Sequence, residues 1–127
     1  MNRQPRILIV DDDKNVVESV KIVLETIDKN YDIDTAYDGI TASVKLFDFQ
    51  PDLVILDIEM PGQSGAGVCK QIKMHRHLEN TKILILTGNK HRISEMISLG
   101  ADTALVKPMD IRDLEHLVTS LLHRQCA

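Results

Sequence analysis

The chain has 127 residues, of which 43% are hydrophobic and 27% are charged, and its formal net charge at pH 7 is −4. This composition argues against a disordered chain, and the acidic balance with only 3% aromatic residues argues against a basic surface that stacks nucleic-acid bases. Cys69 and Cys126 form no CxxC pair and no disulfide framework, so we expect a reducing, cytoplasmic environment.

Short apolar runs alternate with helix-periodic segments along the whole chain. Five candidate strands lie at residues 7–10, 31–37, 53–56, 83–86 and 104–106. Four of them are continuous apolar runs, which are typical of parallel strands buried on both faces. The run at 31–37 alternates polar and apolar residues, which is typical of an edge strand. The run at 7–10 is too short for a membrane span or the core of a signal peptide, and we expect no membrane contact.

Apolar residues at helical spacing follow each candidate strand. The first helix shows Val16, Val20, Val23, Leu24 and Ile27, with Asp13 and Asn15 as candidate caps. The later helices are marked by Ile40, Val44 and Phe47, by Val68 and Ile72, by Ile93, Met96 and Ile97, and by Ile111, Leu114, Leu117, Val118, Leu121 and Leu122. Five strands alternating with five helices predict an α/β fold whose parallel sheet is covered on both faces. An edge position for the second strand favours the order 2-1-3-4-5, although periodicity alone leaves other orders open.

Polar residues directly follow four of the apolar runs. Asp11, Asp12 and Asp13 follow the first strand, Asp57 the third, Thr87-Gly88 the fourth and Lys107-Pro108 the fifth. Ligands of open parallel sheets bind beyond the carboxyl ends of the strands, where the strand order reverses. In the order 2-1-3-4-5 this point lies between strands one and three, so we expect these side chains to converge in one cleft.

Such a cleft has the chemistry needed for phosphoryl transfer. Clustered carboxylates share protons or bind a cation, and oxygen ligands without His or Cys favour Mg²⁺. Asp57 is the candidate nucleophile, because a carboxylate can form an acyl phosphate. Lys107 and Thr87 suit phosphoryl oxygens, so the cleft supplies positioning and charge neutralisation. Asp13 is better explained as a helix cap than as a metal ligand.

Several landmarks therefore occur in a fixed order. They are Asp11-Asp12, Asp38-Gly39, Asp57-Ile58-Glu59-Met60-Pro61-Gly62, Thr87-Gly88, Gly100-Ala101-Asp102 and Lys107-Pro108. In this order the chain resembles the receiver domain of two-component response regulators, and the resemblance covers essentially all of it. It implies one receiver domain over residues 1–127, with a flavodoxin-like (βα)5 three-layer sandwich and a five-stranded parallel sheet in the order 2-1-3-4-5.

The resemblance also implies a role for each site residue. Asp57 would accept a phosphoryl group from a phosphohistidine on a sensor histidine kinase or a phosphotransfer protein. Asp11, Asp12, Asp57 and the backbone carbonyl of Glu59 would bind Mg²⁺ or Mn²⁺. Thr87, Gly88 and Lys107 would contact the phosphate, and the bond between Lys107 and Pro108 would be cis.

Three positions are expected to set the behaviour of the switch. Positions 59 and 89 tune hydrolysis in this family, and here they are Glu59 and Asn89. We expect the charge of Glu59 to change the lifetime of the acyl phosphate. At position 104 the family usually has Tyr or Phe, whereas this chain has Ala104, so activation must use backbone and helix shifts or another side chain. Position 109, often Phe, is Met109.

The expected function is a non-enzymatic, phosphorylation-controlled switch. Its fourth helix, fifth strand and fifth helix would contact a downstream protein or a second copy, with no direct contact to nucleic acid. We expect either a single-domain regulator or a receiver cut from a longer protein. One alternative, motivated by Ala104, is an interaction module that works without phosphate. Another is a haloacid-dehalogenase-like phosphatase, but that family has Asp two residues after its nucleophile, where this chain has Glu59.

Overall fold

Five parallel strands form the centre of the computed structural model, which describes residues 3–60 and 65–123. The strands are β1 (Arg6–Val10), β2 (Asp32–Ala36), β3 (Leu53–Asp57), β4 (Lys82–Thr87) and β5 (Thr103–Val106). Their order is β2-β1-β3-β4-β5, and every neighbouring pair is parallel. The predicted strand order, with β2 at the edge, is confirmed.

Five α-helices connect and cover the strands, as predicted. They are α1 (Lys14–Ile27), α2 (Gly39–Phe49), α3 (Gly65–Met74), α4 (Ile93–Ser98) and α5 (Ile111–His123), with 3₁₀ turns at Arg76–Leu78 and Lys90–Arg92. The side chain of Asp13 accepts a hydrogen bond from the Asn15 N–H at 2.9 Å and caps α1, which confirms the predicted cap. Across residues 3–60 and 65–123, none of the helices has the length and apolar character needed to span a bilayer.

Both faces of the sheet are buried, because alternate residues of β1, β3 and β4 belong to separate clusters. Ile7, Ile9, Leu53, Ile55, Leu84 and Leu86 pack against α1 and α5. Leu8, Val10, Val54, Leu56, Ile83 and Ile85 pack against α2, α3 and α4. Burial on both faces explains why these strands are continuous apolar runs rather than alternating ones. The result is a three-layer sandwich.

The structure corrects two details of the predicted elements. The second strand is shorter than residues 31–37, because the Tyr31 N–H bonds to the Asp28 carbonyl in a turn and pairing with β1 begins at Asp32. In α2 the residues Ile40 and Val44 are 73% and 55% exposed, whereas Ala42 and Leu46 form the buried face. Pro61, Gly62 and Cys126 lie outside the described residues.

Candidate functional site

Three carboxylates converge at the carboxyl ends of β1 and β3. Asp11 directly follows β1, Asp57 ends β3, and the two strands are neighbours in the sheet. One carboxylate oxygen from each of Asp11, Asp12 and Asp57 lies within 4.8 Å of the others. Asp11 and Asp57 are buried, at 0% and 2% exposed, while Asp12 is exposed. The cluster is therefore anchored in the protein interior and open to solvent on the side of Asp12.

Local backbone hydrogen bonds orient the two buried carboxylates. Asp11 Oδ1 accepts from the Asp13 N–H at 2.9 Å, and Asp57 Oδ1 accepts from the Glu59 N–H at 3.0 Å. Each bond closes a tight turn at the point where the strand ends. Gly65 is required beside this loop, because a Cβ on it would lie 2.5 Å from Ile58 Cα. A glycine there lets α3 approach the loop that follows Asp57.

Lys107 supplies the compensating charge. Its ammonium lies 2.9 Å from Asp11 Oδ2 and 3.5 Å from Asp57 Oδ1, so it pairs more closely with Asp11 than with Asp57. The Lys107 N–H donates to the Thr87 carbonyl at 2.7 Å, and the peptide bond between Lys107 and Pro108 is cis, as expected. One cation thus faces two buried carboxylates.

Burial and this charge imbalance together alter the titration of the site. Burial, followed by the charge of Asp11, raises the pKa of Asp57 from 3.8 to about 6, against the opposing effects of the Glu59 N–H and Lys107. Burial opposes ionisation of Lys107, but its hydrogen bond to Asp11 and the charges of Asp11 and Asp57 raise its pKa overall. The cluster therefore has an excess of negative charge that an added cation can relieve.

The donor set fits a hard divalent cation. Its three side chains are all carboxylates, and their oxygens are close enough to approach a single ion. Mg²⁺ prefers oxygen ligands and retains waters beside one or two protein carboxylates, and Mn²⁺ accepts the same ligands. The exposed position of Asp12 leaves room for those waters.

The carboxyl end of β4 is hydrogen-bonded to the Glu59 side chain. The Thr87 hydroxyl, on a fully buried side chain, donates to Glu59 Oε2 at 2.5 Å, and the Gly88 N–H donates to Glu59 Oε1 at 2.8 Å. Sequence reasoning placed Glu59 near the site but missed this contact. The residues are 28 and 29 positions apart, and the one available signal was that strands three and four end beside each other.

The remaining predicted positions have ordinary structural partners. The Asn89 carboxamide oxygen accepts from the His91 N–H at 3.0 Å and caps the 3₁₀ turn Lys90–Arg92. Ala104 lies in β5, partly buried against the cluster beneath α2, α3 and α4. Met109 packs on the opposite face, with α1 and α5. The place where the family usually has an aromatic ring is occupied by a methyl group.

A groove of about 720 Å³ lies next to the site, between α1 and the segment leading into α5. Its lining includes Val16, Ile22, Met109 and Ile111, and it reaches Lys107. Ile22 and Ile111 are 59% and 60% exposed. The groove is thus mainly apolar, and its lining includes Lys107, whose ammonium contacts Asp57.

Comparisons with known proteins agree with this geometry. The sequence profile of the family described as "Response regulator receiver domain" matches residues 7–119. The response regulator ArlR of Staphylococcus saprophyticus is 34% identical over 122 residues, which are 94% of this chain and 53% of that protein. ArlR of Staphylococcus aureus is 35% identical over the same length and share of each chain. The chain spans about half the length of these curated relatives.

Solved structures show the same fold. The signal receiver domain of a DNA-binding response regulator from Colwellia psychrerythraea superposes with a TM-score of 0.89 at 30% identity, covering 94% of this chain and 99% of that one. The response regulator TrrA from Thermotoga maritima, solved in complex with Mg²⁺-BeF, gives a TM-score of 0.82 at 41% identity, covering 93% and 99%. Both similarities extend over nearly the whole of each chain.

Proposed function

This chain belongs to the response regulator receiver domain family, and we propose that Asp57 is its phosphoacceptor. It is a receiver domain of a two-component system and acts as a signalling switch. The donor we infer is a phosphohistidine on a sensor histidine kinase or a phosphotransfer protein. The observation that supports this role most directly is the buried Asp57 carboxylate, which lies against Asp11, Asp12 and Lys107.

The proposed reaction transfers the phosphoryl group from nitrogen to oxygen. An ionised Asp57 oxygen attacks phosphorus, the bond between phosphorus and the imidazole nitrogen breaks, and its electron pair stays on the imidazole. An acyl phosphate is the product. Asp57 must be ionised to attack, and a pKa of about 6 leaves most of the carboxylate ionised at neutral pH.

We infer that Asp11, Asp12, Asp57 and the Glu59 backbone carbonyl bind Mg²⁺ or Mn²⁺. The all-carboxylate side-chain set supports this, as does the solved complex of the related TrrA with Mg²⁺-BeF. When bound, the cation neutralises charge on the phosphoryl oxygens. The Asp57 turn with Glu59 and the Asp11 turn with Asp13 hold the carboxylates in place before any ligand arrives.

We infer that three donors bind phosphoryl oxygens once Asp57 is modified. The Lys107 ammonium already lies 3.5 Å from Asp57, the Thr87 hydroxyl is on the last residue of the neighbouring strand β4, and the Gly88 N–H directly follows it. A compact ammonium and short neutral donors suit a tetrahedral group that gains charge during transfer.

The groove between α1 and α5 is a suitable docking place for the phosphodonor protein. Its apolar lining includes exposed Ile22 and Ile111, and its continuity with Lys107 would bring a bound partner to the edge of the site. For the downstream contact we infer the surface of α4, β5 and α5, where Ile97 and Val106 are 43% and 39% exposed. A signalling switch of this kind needs no substrate turnover, and buried Cys69, a free thiol, is compatible with the cytoplasm.

Incubation with acetyl phosphate and Mg²⁺, followed by intact-mass measurement, tests the phosphoacceptor. We expect a gain of one phosphoryl group in the wild type, no gain in Asp57→Asn and an undiminished gain in Asp48→Asn, which changes an exposed carboxylate on α2. A folded wild type that gains no mass would contradict the proposal and favour an interaction module that works without phosphate.

A further inference from the structure

The Glu59 carboxylate is held by two donors at once. Oε2 accepts from the Thr87 hydroxyl at 2.5 Å and Oε1 accepts from the Gly88 N–H at 2.8 Å. The alternative acceptor for the Thr87 hydroxyl, the Asn89 carbonyl, is farther away at 3.2 Å. Because Thr87 is fully buried, water does not replace these partners, and its hydrogen is committed mainly to Glu59.

These two donors are the ones that the proposed function assigns to phosphoryl oxygens. A hydroxyl has one hydrogen to donate, so a carboxylate oxygen and a phosphoryl oxygen compete for it. The two groups are also both anionic and repel each other at close range. A phosphoryl group on Asp57 can therefore use Thr87 and Gly88 only after the Glu59 carboxylate has left them.

A cation lies beside the Glu59 carboxylate. Arg92 Nη1 is 4.0 Å from Glu59 Oε2, and Arg92 Nε is 3.4 Å from Glu95 Oε1. Arg92 is the last residue before α4, so its guanidinium connects the site loop to that helix. Since position 104 is Ala, this charged contact is a route from the site toward α4 that needs no aromatic ring.

We propose that Glu59 is a positioning residue which occupies the Thr87 and Gly88 donors before phosphorylation, and that the phosphoryl group displaces it toward Arg92 at the start of α4. The inference rests on the proposed function, because it takes Asp57 as the phosphoacceptor. Glu59 thereby opposes formation of the phosphorylated state and couples that state to α4.

Binding of beryllofluoride with Mg²⁺, a stable mimic of the phosphoryl group, tests the competition. Removing the carboxylate in Glu59→Ala should tighten binding about tenfold, the effect of losing a competing hydrogen bond to a charged group. Glu59→Gln should tighten it less, because the neutral amide still accepts one hydrogen bond. Glu95→Gln, which alters the other exposed carboxylate near Arg92, should leave affinity within about twofold of the wild type.

A double-mutant cycle separates displacement from simple charge repulsion. In a Thr87→Ala background, Glu59→Ala should tighten binding by less than about threefold, because the contested hydroxyl is already absent. An undiminished tenfold gain in that background would show that Glu59 does not compete for the Thr87 hydroxyl and would overturn the proposal. If Glu59→Ala bound beryllofluoride more weakly than the wild type, the proposal would be overturned as well, because that result would mean that Glu59 stabilises the bound state.

The NMR resonances of the backbone amides in α4 test the proposed displacement of Glu59 toward Arg92. Beryllofluoride should shift the resonances of residues 93–98 in the wild type and in Asp48→Asn, which changes an exposed carboxylate on α2. In Glu59→Ala and Arg92→Gln those shifts should fall to less than half, provided binding is saturated. Full shifts in both variants would overturn the coupling to α4.

These outcomes are distinct from failure of the proposed function. If the wild type neither binds beryllofluoride nor gains mass with acetyl phosphate, Asp57 is not a phosphoacceptor and both proposals are wrong. If the wild type does both and Glu59→Ala binds no more tightly, only the role of Glu59 is wrong.

Discussion

The two ends of the sheet differ in how the charges of their carboxylates are balanced. At the amino end, Asp52 precedes β3 and accepts hydrogen bonds from the Arg6 N–H at 2.7 Å and the Arg3 guanidinium at 2.9 Å. At the carboxyl end, Asp11 and Asp57 are buried side by side with a single ammonium between them. The amino end matches Asp52 with two arginine donors, whereas at the carboxyl end two buried carboxylates share one ammonium and leave an excess of negative charge.

The difference separates the part of the sheet that holds the fold together from the part that is arranged for a ligand. The amino end joins β1, β3 and β4 through further neutral bonds, such as the Thr81 hydroxyl to the Pro51 carbonyl at 2.9 Å. At the carboxyl end, burial raises the pKa of Asp57. Functional sites commonly retain such locally unfavourable arrangements, which a ligand relieves.

The largest expected effect comes from removing the buried charge. The pKa of Asp57 is about 6 in the folded protein against an ordinary 3.8, so the folded state binds this proton more tightly than the unfolded chain does. The resulting stability is present below pH 3.8 and is lost as the pH rises through 6. At pH 7 and without metal, Asp57→Asn should therefore unfold with a free energy about 2 to 3 kcal/mol higher than the wild type.

Denaturant unfolding of both proteins in EDTA, from pH 4 to 8, measures this difference. The stabilisation should shrink steadily below pH 6, and Asp48→Asn serves as a control with an exposed carboxylate. If Asp57→Asn were no more stable than the wild type at pH 7, the Lys107 ammonium would already balance the charge of the ionised Asp57 carboxylate, and the prediction would be wrong.

The amino end should respond with the opposite sign. Asp52→Ala removes the acceptor for both Arg6 and Arg3, leaving a half-buried backbone N–H without its partner, and should lower the free energy of unfolding by about 1 to 2 kcal/mol. Asp52→Asn keeps an acceptor for the Arg6 N–H, so its free energy of unfolding should fall by less. Phosphorylation by acetyl phosphate should be unchanged in both variants. If Asp52→Ala were more stable than the wild type, the two ends of the sheet would respond with the same sign and the prediction would be wrong.

The location of the carboxyl-end site was predictable from the sequence. The strands and the convergence of Asp11, Asp57, Thr87 and Lys107 follow from apolar runs that each end in a polar residue, and the alternating pattern of the second run favoured the edge position of β2. Parallel strands bring their carboxyl ends to one edge, so position along the chain was enough to locate the rim.

Side-chain pairing within the rim was not predictable in the same way. The bidentate contact of Glu59 with Thr87 and Gly88 depends on the path of the loop after β3 and on a rotamer, neither of which has a periodic signal. The buried face of α2 was also ambiguous. Ile40 and Val44 are spaced four apart just as Ala42 and Leu46 are, and the more hydrophobic pair is the exposed one.

The smallest expected effect is relief of the carboxyl end by a metal. A cation that binds the folded state alone raises the free energy of unfolding by about 1.4 kcal/mol when its free concentration is ten times its dissociation constant. Mg²⁺ should stabilise the wild type and Asp52→Ala equally, because Asp52 lies at the opposite edge of the sheet. It should stabilise Asp12→Asn and Asp57→Asn much less, since each removes one carboxylate of the cluster. Thermal melting with and without Mg²⁺ measures the four responses, and an equal gain in all four would place the metal elsewhere. In that case the stabilisation by Mg²⁺ would not come from relief of the excess negative charge that distinguishes the carboxyl end of the sheet.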